Sequence, residues 1–358
     1  MIPTKFRSKM KKIICLLLCL ATLSTCVACS PTCENFKNEE LVLTVKRENA
    51  FKMAQFADLH FGQEGAPYHN ADEGRTIAFM DYLVETEKPD FIVLSGDNIM
   101  TTGVSGAQKL IEIMDKYKTP YTFVFGNHDA ESYEAEYSKR AVSEYLESSR
   151  SPYLLYKSGY IEDTSENRYG NFSISLKDEN TGDLLGALII VDTGVYDYSL
   201  AKYQSITPGQ ISWYKSEINR LDKIYSCQRN NKHEVVPTIT YGHIQLPEHL
   251  SAYQKALDSN GAEFVYYQEL GGWMQNQILS DAGEESSSFY SAMKEMKSAK
   301  AYLCGHMHAL TYHVKMEGIV LGFCPQMCVT AKGGEKFSTF LYSFDENFDF
   351  DLKLVNEP

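Results

Sequence analysis

Five times along this chain a short apolar run of β type stops at side chains that can bind a metal, and helical patterns lie between the early runs. "FKMAQFA" (51–57) reads as a strand, "RTIAFMDYLVETE" (75–87) as an amphipathic helix and "DFIVLS" (90–95) as a buried strand. "AQKLIEIMDKY" is a second helix, "YTFVF" a third strand and "RAVSEYLES" a further helix. Strands joined by crossover helices predict a mainly parallel, helix-covered α/β sheet. A β-sandwich throughout would leave the helical periodicity unexplained.

The middle of the chain adds a different element. "NFSISLKDENTGDLLGALIIVDTG" (171–194) reads as two strands around an Asn and Gly turn, so an antiparallel hairpin joins the sheet. "TPGQISWYKSEINRLDK" opens a helix with Thr207 as N-cap and Pro208 at its first position. The strands "VVPTITY" and "AYLC" come next, about sixty residues apart, and a β-rich tail closes the domain with "TYHVKMEGIVLGF" and "FSTFLYSFDENFDFDLKLV".

Residues 1–29 are set apart from the fold. Five Lys or Arg precede Ile13, an apolar run reaches about Leu23, and small residues come after it, the order of a secretory signal. The apolar run is too short for an ordinary membrane span. Cleavage after Ala28 would leave Cys29 as the new terminus, and "CVAC" resembles a lipoprotein box with Cys at its first position; "LSTC", ending at Cys26, is the alternative. A lipid anchor, the only membrane attachment expected, stands beside a plain secretory cut. Residues 30–40 read as a polar tether and 41–358 as the domain. Removing residues 1–29 takes away five positive and no negative charges, moving the formal net charge from −13 to −18. Long nucleic acid, which binds through arrays of Lys and Arg, is a poor match for such a chain. Small anionic substrates are not excluded, because bound cations supply charge that the tally omits. Beyond Cys29 the cysteines are Cys33, Cys227, Cys304, Cys324 and Cys328, with no C-x-x-C pair to suggest a thiolate cluster.

The residues just past each strand carry the chemistry. The first strand ends in Asp58, Leu59 and His60; the second in "GDN", with Asp97; the third in "GNHD", with Asn127, His128 and Asp129. Later, "VVPTITY" ends in "GH", with His243, and "AYLC" in "GHMH", with His306 and His308. Glycine in four of the five permits a tight turn, and ligand sites of parallel α/β sheets lie beyond the carboxyl ends of the strands, so the donors should converge. "GDN" alone is a common turn and "GNHD" alone an Asx-capped loop; the series carries the reading. Asp58, His60, Asp97, Asn127, His243, His306 and His308 are too many ligands for one tetrahedral zinc, and suit two ions of intermediate hardness such as Mn, Fe, Zn or Co. A carboxylate can bridge two cations, and Asp97, from a strand that reads as central, is the natural bridge. His306 and His308, two apart, lie on the same side of an extended backbone.

These motifs, in this order and rough spacing over residues 51–313, resemble the calcineurin-like metallophosphoesterases, and "YGHIQLPEH", "VDTGVYDY" and "TPGQISWY" resemble their single-domain branch related to purple acid phosphatases. The resemblance implies an αββα sandwich, mixed sheets flanked by helices, with a binuclear metal site at the strand ends. It implies that Asp58, His60, Asp97 and His308 hold one ion, and Asp97, Asn127, His243 and His306 the other. His128 would contact the phosphate or protonate the leaving group, with Asp129 orienting its ring and Asn127 also touching substrate. One departure has a visible consequence. Purple acid phosphatases carry a tyrosine three residues after the bridging aspartate, and this chain has Met100; they also lack a histidine at the place of His60. The metal-loaded protein is therefore expected to lack the purple band.

The expected activity is hydrolysis of a small phosphomonoester, with two metals activating a water and His128 assisting. A phosphodiesterase or nuclease of the same superfamily is the alternative, and a metal-dependent binding protein a further one; an adhesion module would leave His128 and Asp129 without a role. Asp192 is read as a helix or turn cap. His69, His233, His249 and His313 read as surface or core residues, Trp273, Tyr266 and Tyr267 as packing, and Asn98 as support for the turn after Asp97.

Overall fold

Every side chain of the strand Leu184–Ile190 is buried, yet successive residues serve two different cores: Leu188 and Ile190 join one apolar cluster, Ala187 and Ile189 the other. The same division holds at Ala299–Cys304, where Ala301 and Leu303 face one way and Tyr302 and Cys304 the other. A strand buried on both faces has a layer on each side of it. The computed structural model describes residues 41–358 apart from 47–49, 63–69, 101, 131–137, 163–167, 200, 230–233, 268–274, 279–286, 309 and 330–336. Residues 1–40, for which a secretory signal, a lipid anchor and a tether are expected, lie outside the described residues, as do His69, His233 and Trp273.

Two sheets form the middle layers. The first runs β1 (Leu41–Val45), β7 (Phe172–Asp178), β8 (Leu184–Ile190), β11 (Thr238–Tyr241), β13 (Ala299–Cys304), β15 (Ile319–Phe323), β14 (His313–Met316) and β12 (Phe264–Tyr266). Within it β8, β11, β13 and β15 are parallel, and β7 pairs antiparallel with β8 as the expected hairpin. The second runs β17 (Phe350–Asn356), β16 (Ser338–Phe344), β2 (Phe51–Phe56), β4 (Phe91–Ser95) and β6 (Tyr121–Val124), with β2, β4 and β6 parallel. The tail strands β16 and β17 return to the N-terminal half and place β2 in the middle; β4, which reads as central in sequence, is interior but next to the edge strand β6. Two short ladders complete the pairing: β3 (Phe61–Gly62) with β5 (Ile99–Met100), and β9 (Tyr196–Asp197) with β10 (Lys202–Tyr203). The mainly parallel sheet read from the strand and helix pattern is thus divided in two, as the αββα sandwich implied by the resemblance requires.

Across the interface the Tyr241 hydroxyl donates to Met53 Sδ at 3.8 Å and Gln55 Nε2 to the Cys304 carbonyl at 3.2 Å. Helices α1 (Glu73–Glu87), α2 (Gly103–Asp115) and α3 (Lys139–Ser148) pack Phe79, Leu83, Leu110 and Val142 into the cluster of the second sheet. On the far side of the first sheet, α4 (Pro208–Gln228), α5 (Glu248–Asp258) and α6 (Ser288–Met296) bury Tyr214, Ile218, Tyr253 and Phe289. The layers are αββα. The start of α4 is as the sequence predicts: Gln210 N donates to Thr207 Oγ1, Thr207 N to Gln210 Oε1, and Pro208 stands at the first position. No helix among the described residues is long and apolar enough to cross a membrane.

Candidate metal centre

The ends of β2, β4, β6, β11 and β13 meet at one edge of the sandwich, and hydrogen bonds lace their loops together. Asp58 N donates to the Gly96 carbonyl at 3.0 Å, His60 N to Asp97 O at 2.9 Å and Gly305 N to His243 O at 3.2 Å. Two further bonds cross between the sheets: His306 N donates to Asp58 Oδ2 at 3.1 Å, and the His243 ring bonds Ser95 O through Nδ1 at 2.9 Å.

The motif glycines work by close approach more than by turning. Only Gly96 has a left-handed φ, 99°, and a Cβ there would also strike the His243 ring. A Cβ on Gly126 would collide with the amide and carboxylate of Asp97, and one on Gly305 would stand 2.7 Å from Asp58 Oδ2. The left-handed turns fall instead on the donors themselves: Asp58 (φ 54°), His60 (51°), Asp97 (50°) and His306 (69°). Each such residue costs about 1–3 kcal/mol, and clustering of that strain marks functional sites.

Six donors form two groups, Asp58, His60 and His308 in one and Asp97, His243 and His306 in the other, with the ligand atoms of each group within 4.8 Å of one another. Asp97 joins the groups: its Oδ2 is 3.0 Å from His243 Nε2 and 3.9 Å from His60 Nε2. Asp58 Oδ1 lies 3.4 Å from His308 Nε2, 3.8 Å from His60 Nε2 and 3.9 Å from His243 Nε2. The Ser95 carbonyl can only accept, so His243 Nδ1 carries a proton and Nε2 is the ring atom turned toward Asp97. Asn127, buried after β6, presents Oδ1 with no hydrogen-bond partner.

Charge at these loops is concentrated and, at Asp58, His60, Asp97 and His243, buried. Burial alone would raise the Asp97 carboxyl, but His243, His128 and His60 hold it well below the usual carboxylate range; Asp58 is likewise lowered against burial by His308 and His60. Burial lowers His60, whereas at His243 the Asp97 and Asp58 carboxylates outweigh burial and raise it to about 9.

His128 stands at the rim, its side chain 17% exposed, with Nε2 3.9 Å from Asp97 Oδ2 and its backbone N–H donating to Asp97 Oδ1 at 2.8 Å. Asp129 differs from expectation. Its carboxylate does not orient the His128 ring; it accepts from the backbone N–H groups of Asp97 (3.0 Å), Asn98 (2.8 Å), Ile99 (2.9 Å) and Gly126 (2.6 Å). Asp129 is therefore a clamp on the Asp97 turn, and Asn98 ties that turn to the Val124 carbonyl at 2.9 Å. Asp192 caps its own turn by accepting from Gly194 N at 2.9 Å, and also holds a buried ion pair with Lys139 at 2.7 Å that sequence proximity does not reveal. His249 and His313 are core residues: the His249 ring bonds Leu246 O, and His313 Nε2 meets the Tyr342 hydroxyl at 2.9 Å. Tyr266 packs on Phe340, as expected of it, and Tyr267 on Phe264.

The model of the calcineurin-like phosphoesterase family matches residues 51–310. Among similar proteins, probable inactive purple acid phosphatase 29 of Arabidopsis thaliana is 26% identical over 323 residues, spanning 83% of this chain and 76% of its own. Phosphatase DCR2 of Saccharomyces cerevisiae is 27% identical over 225 residues, 58% of this chain and 37% of the yeast protein. A solved dimetal phosphatase from Danio rerio shares the fold with a TM-score of 0.52, at 9% identity, over 87% of this chain and 100% of that one.

Proposed function

We propose that this chain, which belongs to the calcineurin-like phosphoesterase family, hydrolyses small phosphomonoesters at the centre described above. One observation carries the reading. Asp58 Oδ1, His60 Nε2, Asn127 Oδ1 and His243 Nε2 are buried acceptors or ligand atoms without a hydrogen-bond partner, and they belong to the strand-end loops gathered around Asp97. Leaving one such group unpaired costs about 1–3 kcal/mol, so four together fit cations as the missing partners. The mix of imidazole, carboxylate and amide oxygen suits two first-row transition metals, Fe, Mn, Zn or Co.

Asp58, His60 and His308 would hold one ion, His243, His306 and Asn127 the other, with Asp97 shared. Bound there, such ions supply Lewis acidity toward phosphoryl oxygens and lower the pKa of water. The protein's own residues do the rest. The Ser95 carbonyl fixes the His243 tautomer, and Asp129 fixes the turn that presents Asp97. His128, at the rim beside Asp97, would give a proton to the leaving oxygen or donate a hydrogen bond to the phosphoryl group. Export from the cytoplasm belongs to the same reading, supported by the charged, apolar, small-residue order of residues 1–29 and by the disulfide at Cys227.

The test is phosphate release by the metal-loaded protein from a panel of mono- and diesters. Turnover of monoesters well above diesters is expected, and the reverse order would assign a diesterase. The name of the Arabidopsis relative makes a metal-holding binder the competing reading; it requires two bound ions and release of phosphate from no ester at all.

A further inference from the structure

Three tyrosine rings lead outward from the candidate metal centre. Tyr203 stands edge-to-face against the His306 ring at 4.6 Å, Tyr196 against Tyr203 at 5.1 Å and Tyr198 against Tyr196 at 5.0 Å. Tyr196 and Tyr203 are cross-strand partners of the β9–β10 hairpin. Tyr198 is 77% exposed, more than any other large apolar side chain among the described residues.

The hairpin is held at its base from below. Buried Arg168 donates to Gln204 Oε1 at 2.6 Å and to the Ser205 carbonyl at 3.2 Å, and Gln204 Oε1 also accepts from Val195 N at 3.0 Å. A Cβ on Gly194 would strike the Arg168 guanidinium, so glycine admits that clamp. Arg168 thereby ties down the base of the hairpin that carries Tyr196 and Tyr203, while Tyr198 at its far end is exposed.

We infer that Tyr203, Tyr196 and Tyr198 form the subsite for the leaving group, and that the favoured esters are those of phenols or other flat aromatic alcohols. The inference rests on the phosphomonoesterase reading of the same centre. With the phosphoryl group at the metals, a ring on the ester oxygen meets tyrosine faces and edges, which prefer aromatic partners in offset or edge-to-face contact. A saturated ring of equal size gains the apolar burial and lacks that electrostatic fit.

The test uses the full metal-loaded chain and three phosphonates, whose C–P bond is not hydrolysed. Calorimetric titration is expected to show phenylphosphonate binding about threefold to tenfold tighter than cyclohexylphosphonate, the range of one aromatic pair, with methylphosphonate weaker than both. The phenyl-to-cyclohexyl ratio should collapse toward one in Tyr198→Ala and return in Tyr198→Phe, and the exposure of Tyr198 keeps the fold out of question. Phenylphosphonate binding no tighter than cyclohexylphosphonate, or a ratio that survives both Tyr198→Ala and Tyr196→Ala, overturns the subsite. Phosphate release is read separately. Selective phenylphosphonate binding without hydrolysis of any ester would leave the ring subsite standing and sink the enzymatic reading; hydrolysis without ring preference would do the reverse.

Discussion

His60 and His243 are as fully buried as His249 and His313, all four showing no exposed surface, yet the two pairs live in opposite surroundings. The first pair faces Asp58 and Asp97 across 3.0–3.9 Å, with Nε2 atoms that bond nothing in the protein. The second pair has no carboxylate partner among the described residues: His249 is held by Leu246 O and His313 by the Tyr342 hydroxyl. Burial lowers His249 and His313 to about 3, whereas at His243 the carboxylates prevail and raise it to about 9. Burial therefore does not mark the functional histidines. A concentration of negative charge around the ring does.

That contrast breaks most readily by mutation. His243→Ala should lose one metal per chain and turnover on the order of ten-thousandfold, several kcal/mol of lost charge stabilisation, whereas His249→Ala should keep both ions and lose fold stability, about 2–4 kcal/mol by chemical denaturation. Equal metal content in the two variants would erase the distinction. His128→Ala should retain both ions and lose about a hundredfold or more in kcat, least with good leaving groups; wild-type turnover on a poor leaving group would remove His128 from the reaction.

The pH dependence of stability sharpens the same division. His249 and His313 have folded values near 3, below their ordinary 6.5, so between those limits the unfolded chain binds more protons and stability falls as pH falls. The slope is about 1.4 kcal/mol per pH unit for each histidine. His243 has the opposite sign. Its raised value stabilises the metal-free fold below pH 6.5, and that contribution is lost as pH rises to about 9. Denaturation of metal-free protein should show both limbs, and His249→Phe should remove about half of the histidine slope on the acid limb while leaving the alkaline one unchanged.

Much of the site is legible in the sequence because its donors come directly after strands: the ends of β2, β4, β6, β11 and β13 deliver Asp58, His60, Asp97, Asn127, His243, His306 and His308 to one edge. Periodicity also reveals the β7–β8 hairpin and the Thr207 cap. What it misses is non-local or conformational. Nothing in "GDN" says that the aspartate turns left-handed as well as the glycine before it, and nothing in "GHMH" says that His306 does so while Gly305 does not. Asp129 sits next to His128 in sequence, which suggests a partner, but its carboxylate faces amides about thirty residues upstream. Two-residue ladders such as β9–β10 leave no periodic trace, and the Arg168 and Lys139 contacts join segments tens of residues apart. The interior place of β2 in the second sheet depends on β16 pairing with it, a match nearly three hundred residues apart in the chain.

The central claim is that Asp97 sits between two cation sites, and metal stoichiometry tests it most directly. Elemental analysis of the purified domain after loading to saturation with Mn, Fe, Zn or Co should give two ions per chain, in a protein without the purple band because Met100 stands where a tyrosine would be needed. One ion or none per folded chain at saturation would contradict the account.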